Sequence, residues 1–285
     1  MDAPDRDMLE TFIERVWLEG RRLYRDFPWR NTKDPYAVFL SEVMLQQTQV
    51  SRVCARWEDW LARFPTIDAL AAASLSDVLE RWQGMGYNRR ALALKRCADI
   101  ISEKYAGLLP RDYDTLLSLP GIGLATAAGI CVFAYQTPKL YLETNVRTVF
   151  LHEFFAEREQ VSDREILPLL AQTCPDKNPG PWYYALLDYG AHLKKILPNP
   201  SRRSAHHNAQ SAFEGSARQK RAELIRLVLA APGLLTGELL ELLADAEQKA
   251  GRKAPSDDET TALLETLTRE GFLEAKADRW HIRAG

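Results

Sequence analysis

Apolar residues recur at three- and four-residue spacing along most of this chain, which is the spacing of an α-helix with one buried face. The positions that show it include Tyr36, Phe39, Leu40, Val43 and Met44 and, approximately, Leu92, Leu94, Ala98 and Ile101. Proline and glycine clusters interrupt the pattern at residues 27–28, 84–86, 109–110, 120–123, 177–181 and 197–200. Such clusters mark loops between helices. The pattern therefore predicts an almost entirely α-helical body.

The pattern changes towards the C-terminus. Residues 201–221 are polar and poor in large apolar side chains, which is typical of a linker or surface loop. Helical spacing then returns over residues 219–230, 236–244 and 257–270, and residues 272–282 alternate around a polar turn. Three helices followed by a terminal hairpin predict a winged helix.

Composition limits the function classes. The 285 residues suffice for roughly two domains. The N-terminus is acidic, and no apolar run approaches the length of a membrane span, so we expect a cytoplasmic protein without a membrane partner. The four cysteines are far apart in sequence, so we interpret them as buried apolar residues and expect no metal and no cofactor. A net charge of −2 by itself argues against a nucleic-acid partner, so charge must be judged locally.

The most informative segment is LLSLPGIGLATAAGI, residues 116–130. Pro120, Gly121 and Gly123 predict a tight turn between two helices, and the unpaired amides of the second helix can receive a phosphate. A bare glycine pair is more often an ordinary connection between helices. The full pattern LPGIGxxTA, flanked by helices, resembles the DNA-binding hairpin of the helix-hairpin-helix DNA glycosylase superfamily.

The resemblance extends to FPWR (27–30), PYAVFLSEVMLQQTQV (35–50), WQGMGY (82–87) and LETNVRTV (142–149), which occur in this order. Together these motifs resemble the MutY-like adenine glycosylase branch of the HhH-GPD superfamily, over residues 27–190. The resemblance implies an all-α, two-lobed glycosylase fold, double-stranded DNA as partner and base excision repair by base flipping as function.

The resemblance also implies the domain organisation. We expect residues 1–30 to form the N-terminal part of the second helical lobe and residues 31–138 to form the domain that carries the hairpin. Residues 139–215 complete the second lobe with a basic loop. Beyond the resemblance, the three helices and the terminal hairpin assign residues 216–285 to a winged-helix-like domain.

Two carboxyl groups are the candidate catalytic residues. A glycosylase that removes a purine needs one protonated acid for the departing base and one carboxylate for the positive charge that develops on the sugar. The resemblance places the general acid at Glu42, where apolar neighbours would raise the pKa. Glu143 stands where the superfamily normally has an aspartate, so its carboxyl group lies one methylene further from the backbone. The alternative roles are a solvated helix glutamate for Glu42 and a helix cap for Glu143.

Strand cleavage by bifunctional relatives requires a lysine two residues after the second hairpin glycine. This chain has Ala125 at that position, and nothing in the sequence brings Lys95 or Lys139 to the site. We therefore expect base removal without lyase activity.

The resemblance assigns further residues to DNA and to the base pocket. Gln46, Gln47 and Tyr87 lie on the minor-groove side, where such side chains can fill the gap left by a flipped base; surface glutamines and a core tyrosine are the alternative. The hairpin adds Gly121, Gly123 and Thr126. Trp29 and Arg30 are expected in the wall of the base pocket.

The clearest departure from the superfamily follows residue 190, where relatives usually have four cysteines that bind an iron–sulfur cluster. Residues 190–215 contain no cysteine. Residues 201–221 instead hold five Lys or Arg against one Glu, so Arg202 and Arg203 are candidate phosphate contacts. A solvated linker is the alternative. The adjacent His206 and His207 are poorly spaced for one metal ion.

The C-terminal segment is acidic. Residues 256–285 contain seven Asp or Glu against four Lys or Arg, which disfavours phosphate contact by this part of the chain. We therefore favour a packing or protein-contact role for the C-terminal domain over a second DNA reader. No lesion-reading domain of the MutY type is recognisable.

The sequence thus predicts a monofunctional DNA glycosylase associated with the nucleoid, with adenine opposite guanine or oxidised guanine as the favoured substrate. Thymine or uracil mismatches, hypoxanthine and a modified base remain alternatives. A non-catalytic DNA-binding protein is the alternative of another class.

Overall fold

The computed structural model describes residues 5–207 and 213–284. In these residues the chain forms fourteen α-helices, two short 3-10 helices and three β-strands. The helices are α1 (Arg6–Arg22), α2 (Pro35–Leu45), α3 (Val50–Arg63), α4 (Ile67–Ala72), α5 (Leu75–Trp82), α6 (Arg89–Tyr105), α7 (Tyr113–Leu117), α8 (Leu124–Tyr135), α9 (Thr144–Phe154), α10 (Asp163–Thr173), α11 (Gly180–Ile196), α12 (Ala217–Ala230), α13 (Thr236–Lys249) and α14 (Asp257–Glu270). The strands are β1 (Leu234–Leu235), β2 (Leu273–Lys276) and β3 (Arg279–Ile282). The predicted helical body is confirmed.

The chain divides into two compact units. The first comprises Met1–Gln46 and Leu109–Ala209, and the second comprises Gln47–Leu108 and Gln210–Gly285. The boundaries of these units differ from the domain boundaries expected from the motifs. Helix α2 packs with α8, so both belong to the first unit. The motif-based division at residues 30, 138 and 215 stays a prediction.

Two helices at the centre of the first unit are apolar on almost every face. Helix α2 begins after Asp34, whose side chain accepts a hydrogen bond from the Tyr36 amide, and eight of its residues are buried. Helix α8 likewise buries eight residues and packs against α2. A helix that is apolar all round is a core helix, so a polar side chain on either one is placed where water is scarce.

Helices α1, α9 and α11 contribute to the same hydrophobic core as α2 and α8. Aromatic rings join them, with Phe12 of α1 in contact with Phe150 of α9 and with Trp182 of α11. Helix α11 comes unusually close to α9, because a Cβ at Gly190 would lie 2.1 Å from the carbonyl oxygen of Asn145. The first turn of α9 is therefore held firmly in place.

The second unit contains helices α3–α6 and the C-terminal segment. Trp60 of α3 and Trp82 of α5 meet edge to face in its helical core. The C-terminal segment has the order helix, strand, helix, helix, strand, strand, and its strands form one antiparallel sheet in the order β1-β3-β2. This is a winged-helix arrangement, and the predicted three helices with a terminal hairpin are confirmed.

One carboxylate joins the winged helix to the helical part of the same unit. Glu270, at the end of α14, accepts hydrogen bonds from Arg89 of α6 and Arg221 of α12. Its backbone carbonyl also accepts a bond of 3.0 Å from Arg96. Hydrogen bonds from Arg89, followed by those from Arg221, lower the pKa of Glu270 to about 2.

We expect Glu270→Gln to lower the free energy of unfolding by about 1.5–3 kcal/mol at neutral pH, because hydrogen bonds to a charged group are lost. Urea unfolding of both proteins measures the difference. The lowered pKa means that this stability is present above pH 4.5 and disappears as the pH falls towards 2. Glu265→Gln, at an exposed position of the same helix, is the control. An equal loss in the control would contradict the assignment.

Candidate active site

Glu42 lies on the face of helix α2 that packs against α8. Its side chain keeps partial contact with solvent, although the residues next to it are buried. A Cβ at Gly129 of α8 would fall 2.1 Å from Oε2 of Glu42, which is too close for any real pair of atoms. The carboxyl group of Glu42 therefore occupies the space where any other residue at position 129 would have a side chain.

The surroundings of Glu42 favour its neutral form. Burial, followed by the nearby charge of Glu143, raises the pKa of Glu42 to about 8. A hydrogen bond from the Tyr141 hydroxyl acts in the opposite direction but is the smallest of these effects. At neutral pH the group is mostly a carboxylic acid, which can donate a proton.

Glu143 caps helix α9. Its Oε1 atom accepts a hydrogen bond of 2.9 Å from the Val146 amide and a second one from the Asn145 amide. The cap interpretation of the sequence is thus confirmed. Both bonds use Oε1, so a role of the other carboxyl oxygen is compatible with capping.

The two carboxyl groups have different electrostatic surroundings. Burial raises the pKa of Glu143 above its ordinary value, and the two α9 amides, Lys194 and Arg147 oppose this effect only in part. Glu42 has no comparable amide partners among the causes of its shift. Because two close carboxylates resist ionising together, the proton belongs on Glu42 and the charge on Glu143. Environments that differ in this way separate an acid from a carboxylate.

Three further residues of the site were not predicted from the sequence. Tyr141 packs beside Gly129 and bonds to Glu42. Burial, followed by the nearby charge of Glu42, raises the pKa of the Tyr184 hydroxyl on α11. Tyr141 precedes Glu143 by two residues in the loop before α9, so its nearness in sequence to Glu143 was the available signal. No pattern in the sequence indicated Gly129 or Tyr184 as residues of the site.

Trp29 is buried, and so is the side chain of Arg30. Arg30 donates to both carboxylate oxygens of Asp188, at 2.7 and 2.9 Å, and its side chain is 2% exposed. Its guanidinium also lies 4.4 Å from the centre of the Tyr184 ring. Trp29 stacks on Phe27. Arg30 thus holds Tyr184 in position, and direct contact of either residue with a base stays a prediction.

The hairpin connects α7 to α8. Gly121 has a φ of +72°, a conformation that favours glycine. Gly123 is different, because its φ is −94° and a Cβ there would meet nothing within 4 Å. Neither backbone conformation nor internal packing requires glycine at position 123. The exposed start of α8, without a side-chain cap, leaves its first amides open to an outside group.

Gln46 and Thr126 connect α2 to the hairpin. The Gln46 side-chain amide donates to the Thr126 hydroxyl at 2.9 Å and to the Gly121 carbonyl at 3.3 Å. Thr126 is 9% exposed. These bonds fix the hairpin to α2, and the predicted contacts of both residues with DNA remain predictions.

Gln47 and Tyr87 share an unusual backbone. Both belong to the second unit, and both have positive φ, at +51° and +50°. Such conformations cost free energy in residues other than glycine and are enriched at functional sites. The backbone thus supports a special role for both, although nothing here tests contact with DNA.

Arg202 and Arg203 have different surroundings. Arg202 is exposed, whereas the Arg203 guanidinium donates to the carbonyls of Leu151, Phe155 and Ala156 at 3.1, 3.0 and 2.8 Å. These bonds close the end of α9. Replacing Arg203 would disturb the fold, so Arg202 alone can test phosphate contact cleanly. Residues 208–212 of the basic loop lie outside the described residues.

The residues after α11 do not fit the iron–sulfur cluster that the superfamily implies. All four cysteines lie between residues 54 and 174, and residues 5–207 and 213–284 hold no group of three metal-ligating side chains. Arg203, together with backbone bonds between Val161 and residues 203–205, secures this segment instead. Within the same ranges, no helix is both long and apolar enough to cross a membrane.

No lysine approaches from the hairpin. Ala125 packs at the edge of the core of the first unit. Lys95 donates to Asp99 and to the Ala71 carbonyl in the second unit. Lys139 is exposed, with its ammonium 5.0 Å from the centre of the Tyr113 ring.

This fold, with its hairpin and its pair of carboxyl groups, has recognised relatives. Residues 40–175 match the family described as HhH-GPD superfamily base excision DNA repair protein. These residues therefore form a domain of this superfamily.

Within the superfamily, the chain is similar to adenine DNA glycosylases. It is 40% identical over 177 residues to the adenine DNA glycosylase of Mycolicibacterium smegmatis, covering 61% of this chain and 60% of that protein. It is 34% identical over 202 residues to the one of Homo sapiens, covering 65% and 37%. The chain therefore spans less than two thirds of the length of these relatives.

Solved structures support the fold. A thermostable thymine-DNA glycosylase superposes with a TM-score of 0.58 at 22% identity, covering 65% of this chain and 87% of that one. A non-covalent endonuclease III–DNA complex gives a TM-score of 0.59 at 18% identity, covering 69% and 90%. The predicted all-α glycosylase fold is confirmed.

We expect Glu42→Gln to stabilise the protein increasingly as the pH rises. The folded-state pKa of about 8 exceeds the ordinary value of 4.5. Between these two pH values the folded protein therefore retains a proton on Glu42 that the unfolded chain has released. Wild-type stability should fall relative to the variant by up to about 1.4 kcal/mol per pH unit in this window. Urea unfolding at pH 5, 6, 7 and 8 measures the difference. Parallel curves for the two proteins would contradict the assigned protonation.

Proposed function

We propose that this protein is a monofunctional DNA glycosylase that removes adenine mispaired with guanine or oxidised guanine. The observation that carries the proposal is the pair of carboxyl groups, of which Glu42 is kept neutral and Glu143 is held by two helix amides. The similarity to adenine DNA glycosylases over 61% of the chain supports the choice of base. The nucleoid location expected from the sequence is part of this proposal.

The reaction uses one proton and one water molecule. Glu42 donates its proton to a ring nitrogen of the departing base, and the C1′–N bond breaks with its electron pair going to the base. Positive charge on the sugar is stabilised by the Glu143 carboxylate. Water then adds to C1′, and the proton it releases restores Glu42. The products are a free base and an abasic site.

The hairpin supports binding to the DNA backbone. The first amides of α8 and the bare Gly123 form a surface that a phosphate can approach closely. Gln47 and Tyr87 would fill the gap that the flipped base leaves. Because Arg203 bonds to backbone carbonyls, we assign only the exposed Arg202 of the basic loop to a phosphate contact.

The experiment that tests the function is a panel of labelled duplexes, each with one mispair or damaged base. We expect an abasic product only with adenine opposite guanine or oxidised guanine, and strand cleavage only after heating in alkali. Borohydride should trap no covalent complex, because Ala125 replaces the lysine nucleophile. Excision of thymine, uracil or hypoxanthine would change the assigned substrate. Binding of these duplexes without excision of any base would favour a non-catalytic DNA-binding protein.

We expect Glu143→Gln to lower the single-turnover excision rate by a factor on the order of 10² or more, as loss of one preorganised stabilising group does. The side-chain amide oxygen can still accept both α9 amides, so unfolding and DNA affinity should change little. Glu143→Asp should recover part of the rate, because the carboxylate retreats by about one bond length. Full activity of the glutamine variant would reduce Glu143 to a helix cap.

We expect Gly123→Ala to weaken DNA binding without weakening the fold. The position has a φ of −94° and open space around its Cβ, so alanine costs no strain but obstructs a phosphate. Affinity for a duplex with an uncleavable abasic site should fall about tenfold or more, equivalent to about one lost charge-assisted contact. Thermal unfolding is the control measurement. Unchanged affinity would remove the hairpin from the DNA interface.

A further inference from the structure

The winged helix contributes an arginine to Tyr87. Arg218, in the first turn of α12, donates a hydrogen bond of 2.8 Å to the Tyr87 hydroxyl. Its guanidinium also lies 5.6 Å from the centre of the tyrosine ring. Both residues belong to the second unit. Two segments separated by 131 positions thus meet at a side chain that the proposed function assigns to DNA.

The loop that carries Tyr87 is fixed from its other end. Arg90 is buried and donates to the Thr48 hydroxyl at 2.7 Å and to the carbonyls of Met85 and Gly86 at 3.1 and 3.0 Å. Its guanidinium lies 5.5 Å from the centre of the Tyr87 ring. These bonds determine the backbone of the loop, whereas the hydroxyl at the tip of Tyr87 receives its bond from Arg218.

The winged helix is in turn secured to the same helical core. Arg89 of α6 and Arg221 of α12 share the carboxylate of Glu270. Arg221 is one helical turn beyond Arg218, so the network that holds α12 in place also holds Arg218 next to Tyr87. The contacts of α12 thus serve to position one side chain, that of Tyr87. The acidic character of residues 256–285 disfavours a separate DNA-binding surface there.

We propose that Arg218 is a positioning residue that holds Tyr87 ready to enter the duplex, so that the winged helix helps to drive base flipping. This inference rests on the proposed function. A partly exposed tyrosine loses rotational freedom when it enters a base stack, and a partner that fixes its hydroxyl beforehand lowers that cost. The winged helix thereby acts through Tyr87 without having to read bases itself.

The test measures base flipping separately from chemistry. In a Glu42→Gln background, a duplex carries 2-aminopurine, a fluorescent adenine analogue, opposite guanine, and its fluorescence rises when the base leaves the stack. We expect Arg218→Ala to lower the flipping equilibrium constant about three- to tenfold, the range that one immobilised side chain accounts for. Arg218→Lys, which can still donate to the hydroxyl, should recover part of it.

Two further variants separate positioning from general effects. Arg226→Ala removes an exposed arginine of the same helix that pairs with Glu223, and it should flip the base as well as the parent protein. Tyr87→Phe should lower flipping as Arg218→Ala does, and the double variant should be no worse than either single one. A merely structural role would lower thermal stability but would not make the two losses overlap.

The outcomes distinguish the two proposals. Additive losses in the double variant, or an Arg218→Ala protein that flips like Arg226→Ala, would overturn the role of Arg218 while leaving the glycosylase intact. An Arg218→Ala protein that does not fold would shift the comparison to Arg218→Lys and Tyr87→Phe, which must then both reduce flipping. A parent protein that flips the base in no duplex overturns both proposals.

Discussion

Two carboxyl groups in a poorly solvated space cannot both be charged without a large cost, and the first unit is built around this constraint. Helices α2 and α8 are apolar on nearly all faces, so Glu42 has little water to stabilise a charge. Helix α9 supplies two amides of its first turn to Glu143. The fold therefore decides which group holds the proton. A glycine on α8 is as necessary to this arrangement as the acid it makes room for.

The fold was largely predictable, because the helical period and the glycine and proline clusters are local features of the sequence. The same holds for the hairpin and for the winged helix, whose three helices and terminal strands each have a clear pattern. Gly129 was not predictable, since an apolar helix with one glycine gives no sign that the glycine faces a carboxyl group. Tyr184 and Asp188 reach the site from α11 through tertiary packing, which no short-range pattern encodes.

The sequence offered two alternative roles for Glu143 and for Arg203, and the contacts of each residue decide whether both roles can hold. For Glu143, capping and charge stabilisation seemed to compete in the sequence, yet its contacts with α9 involve one oxygen and are compatible with both. The position of Arg203 in the basic loop predicted a phosphate contact. Its guanidinium instead donates hydrogen bonds to three backbone carbonyls at the end of α9. Local positive charge could not distinguish an arginine that closes a helix from one that faces solvent.

The division into units has a consequence for slow motions of the chain. Glu42, Gly129, Tyr141 and Glu143 all lie in the first unit, whereas Tyr87 and the entire winged helix lie in the second. Proteins open in cooperative segments whose amides exchange with solvent hydrogen at different rates. If the two units exchange independently, transient opening of the second would leave the acid, its glycine and the capped carboxylate assembled. The proposed proton donor would then persist in molecules whose proposed flipping residue, Tyr87, is displaced.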